Sequence, residues 1–284
     1  MLAGYMTPAE KFANLVDEAN AQGARIQGGQ PRDDPWGGPI AKVFRFNPNQ
    51  VLDENRAIIA SYVRPDDVLI DVGGGAGRVS LPLALRCRQT VTVDPSPGMR
   101  AEFEELAATS GIANARFHQT DWLSADDVEG DVVFSADVVY FVRDIVPFLE
   151  KLQAEARRRV MITLWSVPPP NRQSVLFRLV NGEALKPRPG HRELMAVLWD
   201  MGVLPDIRVM PDDPWWDRDV PQTREEALDM AARGRWSDPA GRVMALGVVE
   251  AHFEDLFERS PEGYRPIWYA DARELLITWE TNYS

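Results

Sequence analysis

The stretch from Val68 to Arg78 constrains the fold more than any other part of the chain, because an apolar run ends in an acid and then meets a glycine-rich turn. Gly73, Gly75 and Gly77 stand at alternate positions. Glycine lets the backbone take positive φ and lets a ligand approach the main chain closely. A helix is expected to begin near Ala76 and to direct its positive N-terminal end toward the same place. The pattern therefore predicts a strand, a nucleotide-binding turn and a helix.

A second acid, Asp94, closes the next apolar run, Thr90 to Val93. It lies about 20 residues beyond the glycines, a separation that places a carboxylate on ribose hydroxyls when two neighbouring parallel strands end side by side. The glycine spacing differs from the G-x-G-x-x-G of dinucleotide-binding turns, which receive a pyrophosphate. Acids near the turn would repel a pyrophosphate and would favour a ligand with a cationic group.

From Asp71 onward the turn has the pattern D-V-G-x-G-x-G, and in this the sequence resembles the class I S-adenosylmethionine-dependent methyltransferases of the small-molecule type. Their first motif is an acid, an apolar residue and G-x-G-x-G. The resemblance implies an α/β fold with a doubly wound, mostly parallel seven-stranded sheet of the Rossmann-like kind. It also implies S-adenosylmethionine as cofactor and S-adenosylhomocysteine as product.

The resemblance also implies which residues bind the cofactor. After the third strand, Asp121 is expected to accept a hydrogen bond from the adenine amino group, and Trp122 to cover the ring. A simple turn is the alternative explanation of Asp121, because Asp side chains bond nearby amides in turns. Ser135 and Ala136 are expected to lie under the methionine part. The predicted cofactor-binding residues are Asp71, Gly73, Gly75, Gly77, Asp94, Pro95, Asp121, Trp122, Ser135 and Ala136.

On the acceptor side, Tyr140 and Phe141 occupy the place where many small-molecule members carry two histidines. Tyr140 is one catalytic candidate. The other is His191, in the connection after the fifth strand, where the family places acceptor-binding residues, although it could equally be a helix-start residue. The predicted acceptor-binding residues are Trp36, Tyr140, Phe141, Arg188 and Trp215. A solvated basic face is the alternative explanation of the arginine.

Methyl transfer can proceed without metal or base, because holding the acceptor in line about 3 Å from the methyl group accounts for much of the acceleration. Asp137 could supply one ligand to Mg²⁺, which usually recruits carboxylates, but residues 166–171 after Trp165 offer no second acid. We therefore expect no metal. The net charge of −12 disfavours an extended nucleic-acid surface, which needs clustered Lys and Arg. A small-molecule acceptor is expected instead.

A single cysteine, Cys87, excludes an internal disulfide and fits a reducing, cytoplasmic compartment. Neither a signal peptide nor a membrane span is expected, because no basic start with an apolar run and no long apolar stretch is present.

The sequence predicts an N-terminal helical cap over residues 1–64 and a core over 65–284, interrupted at about 211–271 by a helical insert. Capping boxes at residues 7–10 and 223–226 each announce a helix. A Gly- and Pro-rich connector spans residues 28–39. The insert is interpreted as a lid over the acceptor site or as a homodimer interface. Other helices are predicted over 51–63, 97–110, 191–201 and 238–258, and strands over 68–72, 90–93, 115–118, 131–135, 160–165, 206–210 and 273–279.

Two other functions remain open. A nicotinamide-dependent oxidoreductase, using NAD or NADP, would share the glycine turn and Asp94 but should lack a cofactor acid at Asp121 and a final antiparallel strand. A non-catalytic, S-adenosylmethionine-binding regulatory protein would share every cofactor residue.

Overall fold

The computed structural model of the protein describes residues 6–26, 33–211, 221, 223–232, 239–268 and 272–281. No helix within these ranges combines the length and the apolar character that crossing a membrane requires.

A seven-stranded sheet organises the fold and confirms the predicted architecture. Its strand order is β3-β2-β1-β4-β5-β9-β6. The first five strands in chain order are mutually parallel, whereas β9 is antiparallel to both of its neighbours. A separate hairpin pairs β7 with β8. The strands are β1 (Val68–Val72), β2 (Gln89–Val93), β3 (Ala115–His118), β4 (Gly130–Ala136), β5 (Ala156–Trp165), β6 (Asp206–Val209), β7 (Phe257–Ser260), β8 (Gly263–Pro266) and β9 (Glu274–Glu280).

Helices cover both faces of the sheet, so that β1 is buried at every position, as expected for a parallel sheet between two helical layers. One face packs against α1, α6 and α8, and the other against α3 and α4. The helices are α1 (Pro8–Ile26), α2 (Pro39–Val43), α3 (Glu54–Ala60), α4 (Ser80–Ala84), α5 (Pro97–Thr109), α6 (Ile145–Glu155), α7 (Ser174–Asn181), α8 (His191–Asp200), α9 (Arg224–Ala232), α10 (Pro239–Ala251) and α11 (Phe253–Leu256).

The helices of the N-terminal region pack against different parts of the core. The Thr7 hydroxyl accepts the Glu10 amide and the Glu10 carboxylate accepts the Thr7 amide, which is the predicted capping box of α1. Phe12 and Val16 of α1 are fully buried in the core shared with α6 and α8. The helix α2 packs on α5, and α3 contributes Ile59 to the opposite face. The boundary at residue 64 stays a prediction.

The helix after the glycine turn begins later than expected. Instead of starting near Ala76, α4 begins at Ser80, because Gly77 has a φ of +83° and a helix cannot pass through that left-handed conformation. By their charge, Arg157 to Arg159 are also expected to end the helix before the fifth strand, because the helix dipole favours cations at that end, and this prediction is wrong. These arginines open β5 and pair with carboxylates that include Asp131 and Asp67.

The described part of the insert packs with α7 in an apolar cluster separate from the clusters along the sheet. The predicted capping box joins Thr223 and Glu226 at the start of α9. The expected long helix over 238–258 breaks at His252, and Phe257 begins β7 rather than continuing the helix. The apolar side chains predicted along one face of that helix are nevertheless buried in one cluster with Leu176 of α7: Val249, Phe253, Leu256 and Phe257. Whether the insert acts as a lid or a dimer interface stays a prediction.

Candidate functional site

The glycine turn lies at the carboxyl end of β1, between the ends of β2 and β4. The Gly73 amide donates to the Val93 carbonyl of β2 at 2.7 Å. Gly73 has a φ of +70°, and a Cβ there would lie 2.3 Å from Val138 Cγ2. Only glycine fits this position. Ligands of open α/β sheets bind outside this edge of the sheet, so the turn forms one wall of the expected crevice.

Asp71 lies inside the turn and is 1% exposed. Burial raises the pKa of its carboxyl to about 6, against the opposing effects of Ser80 and the Arg78 guanidinium. The backbone wraps closely around the side chain, since a Cβ on Gly74 would lie 2.4 Å from Asp71 Oδ2. The buried acid therefore supports the turn from within and places negative charge beneath it.

Asp94 links the turn to the start of α5. Its Oδ2 accepts the Gly75 amide at 3.1 Å, and its Oδ1 accepts the Ser96 amide at 2.9 Å. Burial raises the pKa of this carboxyl, while the two amides lower it and the Asp34 carboxylate raises it further. Each carboxylate oxygen can accept one more hydrogen bond. Two free acceptor positions on one carboxylate suit a vicinal diol such as that of a ribose, while contact of Asp94 and the glycine turn with the cofactor stays a prediction.

Asp34 of the connector caps the same end of α5, which sequence reasoning missed. Its carboxylate accepts the Ser96 hydroxyl and the Gly98 amide, both at 2.9 Å. The Trp36 amide donates to Asp34 Oδ1 at 3.2 Å. Backbone approaches backbone here, because a Cβ on Gly98 would lie 2.5 Å from Gly37 Cα. The only available signal was an acid before Trp36 in a Gly- and Pro-rich segment.

Asp121 and Trp122, the two residues predicted to contact the adenine, differ in exposure. Asp121 is exposed and its side chain accepts the Leu123 amide at 2.9 Å, which caps a short 3₁₀ helix. Trp122 is only 4% exposed, and its indole N–H donates to the Phe148 carbonyl at 3.4 Å. It therefore packs in the core, which does not suit the predicted covering of a ring. Leu123, 43% exposed, is the neighbouring apolar residue at the surface.

The end of β4 is the predicted floor of the crevice. Ser135 is buried and donates its hydroxyl to the Val72 carbonyl at 3.1 Å, which ties β4 to β1. Ala136 is half-buried. Asp137 follows with a φ of +60° and pairs with Arg78 at 3.3 Å. These positions lie beside the glycine turn as expected, while their contact with a cofactor stays a prediction, as it does for Pro95.

Tyr140 is a buried structural group, which does not suit the predicted catalytic role. It is 1% exposed, its hydroxyl accepts the Trp165 amide at 2.5 Å and it donates to Asp137 Oδ1 at 3.2 Å. Burial holds the pKa of its hydroxyl well above the usual range, and the Asp137 carboxylate raises it further. Tyr140 therefore bridges the ends of β4 and β5, and its proton is not available to a bound acceptor.

We expect Tyr140→Phe to reduce stability by about 1–3 kcal/mol, because the buried Trp165 amide loses its acceptor. The methyl transfer that the resemblance implies should change only a few-fold at most. Denaturant unfolding and initial rates measure the two effects, and Tyr62→Phe, at a half-buried tyrosine, is the control. Complete loss of turnover in a folded Tyr140→Phe variant would restore the catalytic role.

Three of the predicted acceptor-binding residues meet beside the crevice. The rings of Trp36 and Phe141 are in edge contact, with centroids 5.5 Å apart. The Arg188 guanidinium lies 5.1 Å from the Phe141 centroid. Both rings are 39% exposed. The connector thus brings Trp36 from the N-terminal region to the end of β4, while Trp215 lies outside the described residues.

His191 is the first residue of α8, which agrees with the alternative interpretation of it as a helix-start residue. Its ring is half-buried, and within the described ranges Nδ1 has no hydrogen-bond partner. Its role as a base stays a prediction.

Comparisons with known proteins agree on the type of domain. Residues 70–160 match the family model described as a methyltransferase domain. The 23S rRNA (uracil(1939)-C(5))-methyltransferase RlmD of Xanthomonas euvesicatoria is 37% identical over 65 residues, which cover 23% of this chain. The similarity spans only 15% of the length of that relative.

Two solved structures resemble the fold. The YcgJ protein of Bacillus subtilis has a TM-score of 0.54 at 14% identity, covering 81% of this chain and 99% of that one. Coclaurine N-methyltransferase bound to N-methylheliamine and S-adenosylhomocysteine has a TM-score of 0.53 at 12% identity, covering 96% and 95%. At these identities the likeness shows the fold alone.

Proposed function

Because this chain belongs to the class I S-adenosylmethionine-dependent methyltransferases, we propose that it transfers a methyl group from that cofactor to a small organic acceptor. The observation that carries the proposal is the position of the half-exposed Trp36 and Phe141 rings beside the end of β4. They offer an apolar surface next to the cofactor half of the crevice, and such surfaces bind small organic molecules.

Bound S-adenosylmethionine would supply a methyl group on a sulfonium, and the acceptor atom's lone pair would form the new bond as the electron pair of the broken S–CH₃ bond returns to sulfur. The protein's contribution is alignment. Asp94 would hold the ribose, the glycine turn the amino acid end, and Trp36 with Phe141 the acceptor. Fixing this geometry can supply much of the rate enhancement, and a proton released by the acceptor can pass to solvent.

Charge supports a small acceptor over RNA. The chain has a net charge of −12, and arginines at the start of β5 are paired with carboxylates, including Arg157 with Asp131 and Arg158 with Asp67. A polynucleotide needs clustered cations that remain available to phosphates. The rRNA methyltransferase likeness covers only a short segment. Methylation of total RNA at a rate above that of small acceptors would overturn this part of the proposal.

The final strand also bears on the oxidoreductase alternative. A nicotinamide-dependent oxidoreductase is expected to lack a final antiparallel strand, whereas β9 of this chain is antiparallel to β5 and β6. A regulatory protein without activity would bind the cofactor equally, so a methyl-transfer assay across acceptor classes distinguishes it.

We expect Asp94→Ala to weaken binding of S-adenosylhomocysteine by about 1.5–3 kcal/mol, because the variant loses charged acceptors for two hydroxyl donors. Isothermal titration calorimetry measures the affinity, and the exposed Asp66→Asn variant serves as control. If Asp94→Ala binds as tightly as the parent protein, Asp94 does not belong to the cofactor site. Binding of NAD but not S-adenosylhomocysteine would contradict the proposed function itself.

Transfer to a suitable acceptor is expected to survive exhaustive chelation. Within the described residues no cluster of three or more His, Cys, Asp or Glu side chains is arranged to hold a metal ion, and Asp137 is already paired with Arg78. Initial rates before and after EDTA treatment give the measurement. Loss of activity that Mg²⁺ restores would show that a metal takes part.

A further inference from the structure

Arg188 is fixed in place by neutral groups. Its backbone amide donates to Asn171 Oδ1 at 2.8 Å, and its carbonyl accepts the Asn171 side-chain amide at 2.9 Å. Its Nη2 donates to Asn20 Oδ1 of α1 at 2.7 Å. Asn171 therefore fixes the backbone of Arg188, Asn20 binds its guanidinium, and none of these contacts neutralises its charge.

The charge of Arg188 is half-buried without compensation. Within the described ranges no carboxylate lies at ion-pair distance from its guanidinium, and burial lowers its pKa with no acidic group opposing the shift. Removing a charge from water without an ionic partner costs free energy. Other partly buried arginines of this chain, such as Arg78 and Arg158, are paired with acids. An arginine held in this unneutralised state is suited to a ligand anion.

The surroundings of Arg188 describe the rest of that ligand. The guanidinium lies over Phe141, whose ring meets Trp36 at an interplanar angle of 77°. An edge-to-face pair presents one ring face and one ring edge, and aromatic ligands pack favourably against both. The positively charged guanidinium of Arg188 and the aromatic rings of Phe141 and Trp36 thus lie side by side, near the end of β4 where the acceptor is expected.

We propose that the methyl acceptor is a planar aromatic molecule carrying a carboxylate, with its ring against Trp36 and Phe141 and its carboxylate on Arg188. That the ligand is the methyl acceptor rests on the proposed function. The binding of an aromatic carboxylate rests on Arg188 and the two rings alone. The carboxylate serves as an anchor that orients the ring.

The test compares aromatic acids with their own primary amides. Benzoate, hydroxybenzoates and hydroxycinnamates, each paired with its amide, are titrated against the full chain in the presence of S-adenosylhomocysteine. Ligand-observed NMR gives the affinities. We expect at least one acid to bind about tenfold or more tightly than its amide, because a charge-assisted bidentate hydrogen bond is lost in the amide. Cyclohexanecarboxylate, which lacks an aromatic ring, should bind more weakly than benzoate.

Variants at Arg188 assign the preference to this side chain. Arg188→Gln should bring each acid and its amide to within about twofold of each other, and Arg188→Lys should retain part of the preference. Arg192→Ala, an exposed arginine on α8, is the matched control and should leave the preference intact. Thermal unfolding and S-adenosylhomocysteine affinity confirm that each variant is folded.

Several outcomes would overturn the inference: no acid preferred over its amide, an equal preference in Arg188→Gln, or cyclohexanecarboxylate binding as tightly as benzoate. Failure of the proposed function has a different signature. In that case the parent protein would bind no S-adenosylhomocysteine or would transfer no methyl group, while the acid–amide comparison would still report on Arg188.

Discussion

Replacing Asp71 with Asn is expected to stabilise the protein at pH 7 by up to about 3 kcal/mol while weakening cofactor binding. The carboxyl is buried in the glycine turn, and burial raises its pKa from 3.8 to about 6. Each pKa unit corresponds to about 1.4 kcal/mol. Ionising the carboxyl inside the fold therefore has a cost that an amide of nearly the same shape does not incur.

The pH dependence follows from the direction of this shift. The folded state binds the Asp71 proton more tightly than the unfolded chain does, so the contribution of this group to stability falls as pH rises from about 4 to about 6. Parent and Asp71→Asn should be nearly equal in stability at pH 4 and should diverge up to pH 7. Denaturant unfolding at both pH values measures this, with Asp66→Asn as the exposed control. A stability difference that does not vary with pH would contradict the account.

The same substitution should weaken S-adenosylmethionine binding by about tenfold, because the amide removes negative charge from beneath the turn that is proposed to receive the cationic end of the cofactor. The native acid would then be a case in which stability is given up for binding. Isothermal titration calorimetry of Asp71→Asn with S-adenosylmethionine tests the expected loss of affinity. A variant that is more stable and also binds as tightly as the parent would show that the acid does not contribute to cofactor binding.

The sheet and the cofactor wall of the crevice could be predicted because both follow from local patterns. The turn after β1 and the acid after β2 each depend on a short run of residues. In these runs glycine indicates where the backbone needs unusual conformations, and Asp indicates where a strand ends beside the ligand. The strand β3 appears at its predicted bounds for the same reason. The late start of α4 was missed, since nothing in the sequence states that Gly77 takes a positive φ.

The roles of Tyr140 and Asp34 could not be predicted because they depend on contacts between distant segments. The Tyr140 hydroxyl is bound by Trp165 from another strand, so its chemistry is decided by tertiary packing. Asp34 meets Ser96 and Gly98 across a long stretch of chain. Similarly, the sequence could place Arg188 near the site, but only the structure shows that its immediate partners are neutral.

Asp34→Ala is expected to release the connector and to lower kcat/KM for the acceptor by about 10- to 100-fold, with a much smaller effect on the fold. Its carboxylate binds the Ser96 hydroxyl and the Gly98 amide at the start of α5. Hydrogen bonds to charged groups are worth about 1.5–3 kcal/mol. Losing them should detach Trp36 from its position against Phe141, so that one wall of the acceptor surface is no longer held.

Hydrogen exchange gives a measurement that does not need the acceptor. Amides of residues 36–43 should exchange faster in Asp34→Ala, while those of the central strands should not change. The neighbouring Asp33→Ala removes an equal charge from an exposed side chain and is the matched control. If residues 36–43 exchange faster in both Asp34→Ala and Asp33→Ala, the loss of one negative charge, not the loss of the Asp34 hydrogen bonds, explains the faster exchange.

Gly98→Ala tests the same contact without altering any carboxylate. A Cβ at this position would lie 2.5 Å from Gly37 Cα, which is closer than two carbon atoms can approach, so the connector must move away from α5. If the connector positions Trp36 for the acceptor, Gly98→Ala and Asp34→Ala should show the same faster exchange and the same loss of kcat/KM. Unchanged exchange in both would mean that other contacts, such as the ion pair of Arg45 with Glu102, hold the connector by themselves.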